Sequence, residues 1–158
     1  MESTEGLRVP PQDIDIERSL LALLLCGLEA DVILGEVKPV HFYRTAHQLI
    51  FQSCQDVYLK ENVIDIALVF SNLGDKKEQV GGHRYLSALL DEPTPSNVES
   101  YCKKIKELYQ LRRIIEISNA AMKRSYEARP DEADSVIDYL SSELIMVSEG
   151  RGSGWCSM

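Results

Sequence analysis

The sequence predicts an all-α fold: a compact helical head followed by a C-terminal antiparallel helical hairpin. Three observations carry this. No segment sustains the period-two alternation that a half-buried strand requires. Apolar residues instead recur at three- and four-residue spacings in one window after another. The stretch from Ser96 to Arg129 contains no helix breaker, and Arg129-Pro130-Asp131 then turns the chain into a second apolar-periodic segment.

Residues 1–9 are polar and without period, and are expected to form a disordered tail. Pro10-Pro11 and the N-cap Asp13 open a helix over Ile14 to Cys26 that stops at Gly27. Ile16, Leu20, Leu21, Leu23, Leu24 and Leu25 cover more than one face, so this helix belongs at the centre of the core. A short helical turn is expected over Asp31 to Val37, ended by Pro39. Thr45 is the expected cap of a helix from Ala46 to Leu59, closed by Asn62. Val63-Ile64 is the best candidate for an isolated extended pair. Asp65 caps a helix that presents Ile66, Val69, Phe70 and Leu73 and ends at Gly74. Gly81-Gly82, a turn that needs positive φ, leads into Tyr85, Leu86, Leu89 and Leu90. This completes a globular head over residues 10–95.

Pro93 and Pro95 then break the chain. Ser96 and Glu99 have the spacing of a capping box for a helix of about thirty residues, roughly 45 Å long. After the turn, Val136, Ile137, Leu140, Leu144 and Val147 form the seam of the second helix. Residues 97–129 carry eight Lys/Arg and four Asp/Glu; residues 130–149 carry none and six. The two helices of the hairpin, residues 96–149, therefore attract, but exposed ion pairs contribute only about 0–1 kcal/mol each, so the apolar seam must dominate. Residues 150–158, with Trp155 and Cys156, read as a flexible tail or linker stub.

Composition narrows the function classes. The net charge of −8 speaks against a free-standing duplex-DNA binder, which needs a basic surface. Cys26, Cys54, Cys102 and Cys156 include no CxxC pair, and three lie in apolar helical patterns, which suits core packing in a reducing compartment. No signal peptide opens the chain, and Leu20 to Cys26, the longest apolar run, is far short of the ~20 residues that span a bilayer. A cytoplasmic protein with no membrane partner is expected. There is no GxxxxGK[ST] loop, no GxGxxG after a strand, no GxSxG elbow and no HExxH. No catalytic, cofactor-binding or metal-binding residue is nominated. Asp13, Asp15 and Glu17 fit capping and helix-dipole stabilisation. His41, His47 and His83 read as structural or solvated. Lys103, Lys104, Lys106, Arg112 and Arg113 form the densest basic cluster, a solvated helix face or a surface for an acidic partner or nucleic acid.

Five motifs in order resemble one family. Pro10-Pro11 followed by Ile14-Asp15-Ile16-Glu17-Arg18-Ser19-Leu20-Leu21 resembles the opening of the replicative DNA helicases typified by DnaB. His41-Phe42-Tyr43, His47 with Ile50-Phe51, Val80-Gly81-Gly82 with Tyr85-Leu86, and Pro95 through Asn97 to Tyr101, Ile105 and Glu107 continue the pattern. Arg112 or Arg113 fits a later basic position, so the resemblance covers roughly residues 10–149. His41 departs from it, standing where an acidic residue is usual, and so do Leu23 to Leu25, where a glycine is common. The tail after Gly150 is unlike the family's linker helix.

The resemblance implies the family's N-terminal domain, an oligomerisation and docking module. Such domains dimerise through their hairpins, and three dimers form a collar on a hexameric ring that docks the C-terminal domain of primase. It also implies that ATP and Mg bind a RecA-like motor domain outside this chain, that DNA is engaged only through the full hexamer, and that a helicase loader is a further partner. On this reading Tyr109, Ile115, Met122, Ile137, Leu140 and Leu144 are the hairpin seam or interface residues, and Leu140→Asp is expected to weaken the dimer. The competing reading is a helical nucleic-acid-binding regulator that uses the Lys103–Arg113 face; its affinity would fall steeply with salt.

Overall fold

A computed structural model describes residues 8–150, so the expectations for residues 1–7 and 151–158 lie outside the described residues. Among the described residues the fold is all-α, with no strand. Seven helices follow in order: α1 Ile14–Leu25, α2 Ala30–Glu36, α3 Thr45–Glu61, α4 Ile66–Leu73, α5 Gly82–Leu89, α6 Val98–Glu127 and α7 Ala133–Glu149. The chain divides into two compact units, residues 12–109 and residues 110–150 with 8–11. The head core therefore reaches into α6: Cys102 and Ile105, placed in the hairpin by the sequence reading, are buried in the same cluster as Leu20, Phe42, Phe51 and Leu86.

Local chemistry explains most boundaries. Asp13 caps α1 by accepting from the Ile16 amide at 3.1 Å. Asp65 caps α4 by accepting from the amides of Ala67 and Leu68. Asn62 closes α3 with φ 58°, a left-handed conformation that asparagine tolerates. Two expected caps are wrong. Thr45 is already helical; Arg44 precedes α3 with no side-chain cap, because a guanidinium has no acceptor for the helix amides, and its own amide donates to Glu17. The α6 cap is Asn97, which accepts from the Ser100 amide at 3.0 Å, one residue beyond the Ser96 box. Val63-Ile64 pairs with no strand and simply joins α3 to α4.

Helix α1 is the centre of the head, with Leu20, Leu21 and Leu24 fully buried. The turn before α5 needs its glycines: Gly81 sits at φ 99° and Gly82 at φ 70°. A Cβ on Gly81 would lie 2.8 Å from the Tyr85 Cβ. Gly81→Ala is accordingly expected to cost roughly 1–3 kcal/mol through strain and displacement of Tyr85. Urea unfolding would show it, and an unchanged midpoint would contradict the argument.

The described cysteines behave as core atoms or as an exposed thiol, not as a set. Cys54 and Cys102 are buried and Cys26 is exposed. Burial pushes the Cys54 thiol up to about 12 from 9.0. The unfolded thiol therefore loses its proton first on raising pH. The stability this contributes is full below pH 9 and is lost as pH rises towards about 12, at up to ~1.4 kcal/mol per pH unit. Alkaline unfolding curves of Cys54→Ala should be flatter than those of the parent over that window.

Candidate docking surfaces and the buried network beneath them

The head is organised around one buried polar chain. Glu17, on the inward face of α1, is only 1% exposed and not the solvated dipole partner that its position near the helix start implied. Its carboxylate accepts from the amides of Tyr43 at 2.5 Å and Arg44 at 3.5 Å, and meets His47 Nδ1 at 2.7 Å. His47 is fully buried, and its Nε2 meets the Tyr85 hydroxyl at 2.7 Å. The neighbouring Tyr85 oxygen raises the Arg18 guanidinium pKa above its ordinary value. With Nδ1 donating to Glu17, Nε2 is left to accept the Tyr85 proton. No buried side-chain nitrogen or oxygen among the described residues lacks a partner. Such a network is stabilising only when complete, and here it ties α1, α3 and α5 to the segment before α3.

His41 explains its own departure from the expected acid. Its Nδ1 accepts from the Lys38 amide at 2.9 Å and closes the 3₁₀ turn Pro39–His41, as a carboxylate would. The ring is also edge-on to Tyr109, with centroids 5.1 Å apart. Tyr109, nominated for the hairpin interface, thus packs within the head unit.

In the hairpin unit, Ile117 and Ala121 of α6 are buried, and Leu140 is half-buried on the seam side of α7. Across the seam Gln110 donates to the Val147 carbonyl at 3.4 Å. Arg113 bridges to Glu143 at 3.2 Å, and Arg124 stacks over Tyr139 at 3.9 Å from the ring centroid. At about 100° per residue, Arg113 and Glu143 are both turned to one flank of this seam. Leu111, Ile114 and Met122 of α6, and Ile137 and Leu144 of α7, turn to the other flank, with Ile115 beyond them. All six are exposed, Met122 at 56% and Ile137 at 59%. The hairpin therefore has one charged flank, closed within the chain, and one apolar flank open to solvent. Four of the six nominated residues, Ile115, Met122, Ile137 and Leu144, lie on or beside the open flank; Leu140 belongs to the internal seam.

The nominated basic cluster is largely spent on internal partners. Lys106 pairs with Glu36 at 2.7 Å. Arg112 donates to the Pro11 carbonyl at 2.8 Å, and Arg113 also pairs with Glu116 at 2.6 Å. Lys103 and Lys104 are exposed. A phosphate-tracking surface needs several free cations, so the arrangement does not favour one.

With this geometry in place, a family model described as "DnaB-like helicase N terminal domain" matches residues 9–107. The chain belongs to this family. It is 34% identical over 151 residues to the replicative DNA helicase DnaB of Geobacillus stearothermophilus, covering 93% of this chain and 33% of that protein. It is 29% identical over 150 residues to the replicative DNA helicase DnaC of Bacillus subtilis strain 168, covering 92% and 33%. The chain spans about a third of the length of the curated relatives it matches. In structure it resembles the crystallised N-terminal domain of DnaB helicase from Mycobacterium tuberculosis, with a TM-score of 0.77, 30% identity and coverage of 88% of this chain and 99% of that one. It also shares the fold of a DnaB-like replicative helicase described with its interactions with primase, with a TM-score of 0.69 and 24% identity, covering 89% of this chain and 32% of that one. The family match includes the whole Glu17–His47–Tyr85 chain. The sequence reading placed all three residues inside its motifs without seeing that they bond to one another, because 30 and 38 residues separate the partners.

Proposed function

We propose that this chain is the oligomerisation and docking domain of a replicative DNA helicase. Its hairpin pairs with a second copy, pairs assemble as three dimers into a collar on a hexameric ring, and the collar recruits the C-terminal domain of primase. ATP and Mg act in a motor domain outside this chain, DNA is engaged through the assembled hexamer, and the protein works in the cytoplasm, where a helicase loader is a further partner. Family membership supports the setting. The observation that carries the role is the open apolar flank of the hairpin, since soluble monomers rarely leave a contiguous apolar strip exposed across two helices.

Sedimentation equilibrium over a range of concentrations, at low and moderate salt, tests the self-association. A dimer or larger species insensitive to salt is the expected result, because the surface in question is apolar. Titration of a primase C-terminal domain into the chain, followed by calorimetry, tests the docking; ATP in the same cell should give no heat of binding. A strict monomer that also ignores primase would overturn the reading.

A further inference from the structure

The loop between α2 and α3 presents a second surface that the hairpin reading does not use. Residues 37–55 hold no Asp or Glu, in a chain that carries 25 of them. Within that window Lys38, Val40, Tyr43 and Arg44 are exposed, Val40 at 52% and Tyr43 at 36%. Lys38 and Arg44 make no ion pair among the described residues. Glu36, the carboxylate just before the window, is paired with Lys106 at 2.7 Å. Glu17, which bonds the loop from within, is 1% exposed and faces the Tyr43 and Arg44 amides and His47. The loop is also held in one shape. Between its exposed pairs, His41 and Phe42 are buried. The Lys38 amide donates to His41 Nδ1 at 2.9 Å, the Phe42 amide to the Pro39 carbonyl at 3.2 Å, and Gln48 Nε2 to the Phe42 carbonyl at 2.7 Å. A carboxylate withdrawn from water thus fixes the backbone of two residues, Tyr43 and Arg44, that are themselves exposed.

We infer that this loop docks a partner protein through a short segment that joins an Asp or Glu to an aliphatic residue. Lys38 and Arg44 meet the carboxylate, for which the paired N–H donors of arginine are suited. Val40 and Tyr43 take the aliphatic side chain, and tyrosine and arginine are residue types that concentrate binding energy at interfaces. Because the backbone is already fixed, docking loses little conformational entropy. Charge complementarity commits the occupant's acid, since a basic segment would meet two like charges and no free carboxylate. Two cations in a chain of net charge −8 fall short of what a phosphate backbone requires, so the partner is protein and not nucleic acid.

The inference does not rest on hairpin pairing, and its test reads different residues. The probes are two acetylated, amidated tetrapeptides, Leu-Asp-Glu-Leu and Leu-Lys-Lys-Leu, titrated into the ¹⁵N-labelled chain while amide shifts are followed. Leu-Asp-Glu-Leu should move the amides of Val40, Tyr43 and Arg44 saturably, with a Kd on the order of 1 mM at low salt and weaker binding as salt rises. Leu-Lys-Lys-Leu should not. Arg44→Glu should weaken the acidic peptide about fivefold or more. A carboxylate just ahead of α3 suits the helix dipole, so this variant should melt as the parent does. Val40→Ser, also at an exposed position, should weaken the peptide by a similar factor. Lys60→Glu is the charge control. It makes a like change at an exposed lysine near the other end of α3, roughly 24 Å from Arg44, and should leave the affinity as it is. Equal binding of both peptides, an equal loss with Lys60→Glu, or indifference to Arg44→Glu would each overturn the assignment. So would the same shifts on raising the chain's own concentration, which would give the loop to a second copy, or stronger shifts with an octathymidylate, which would give it to nucleic acid.

Discussion

Replacing Glu17 by alanine is expected to lower the unfolding free energy by about 3–5 kcal/mol, the range seen when one partner of a buried polar pair is removed. The carboxylate is the acceptor shared by the Tyr43 and Arg44 amides and His47 Nδ1. Its loss strands the Tyr43 amide and His47 Nδ1 in a site where His47 has no access to water. At this chain size the melting temperature should fall by roughly 10 °C or more. His47→Ala should cost a comparable amount, because it leaves the Glu17 charge buried with one donor fewer. The double variant should cost much less than the sum of the two, since both single changes break the same bond. Additive costs in urea unfolding would mean that the two residues act separately and that the network is not a unit. Glu17→Gln separates charge from shape: it keeps an acceptor oxygen but turns a donor towards a group that also donates.

Ile137→Asp is expected to weaken self-association by 10²-fold or more, because an aspartate closed into an apolar interface remains a buried, unpaired charge costing about 3–5 kcal/mol. The same change should leave the isolated chain's melting almost unchanged, since Ile137 is 59% exposed. Met122→Asp, on the facing helix of the same flank, should behave alike. Ser135→Asp is the control: it is exposed on α7 but turned to the opposite flank. Leu140→Asp, the obvious choice from sequence, is a poorer probe. Leu140 lies in the seam against α6, so its substitution unpicks the hairpin itself and weakens any dimer indirectly. Sedimentation of the four variants side by side distinguishes these cases. Parent-like association of Ile137→Asp would remove the apolar flank as the pairing surface.

The hairpin shows where sequence periodicity is informative and where it stops. A stripe at three- and four-residue spacing identified both helices, and the proline turn between them set their antiparallel order. The stripe on α6 was wider than one seam needs, with Leu111, Ile114 and Ile117 all apolar. Periodicity alone could not say which third of it faces α7 and which faces outward. The Arg113–Glu143 and Arg124–Tyr139 contacts decide that by closing one flank and leaving the other open. The partners of the basic cluster were hidden for the same kind of reason. Lys106, Arg112 and Arg113 are near one another in sequence, but each has an internal partner, 70 residues away in the case of Lys106 and 101 in the case of Arg112.

By itself the sequence determined the all-α class, the order and approximate limits of the helices, the caps at Asp13 and Asp65, the positive-φ turn at Gly81-Gly82 and the family. These follow from local forces: hydrophobic period, backbone capping and the steric freedom of glycine act over a few residues. Only the tertiary structure decided that Glu17 points inward to His47 and Tyr85, that Tyr109 packs within the head unit, and that Leu140 is seam and Ile137 is surface. Each of those depends on partners tens of residues apart. A helix shows the same apolar period whichever neighbour eventually covers it, so its partners are chosen only when the chain packs.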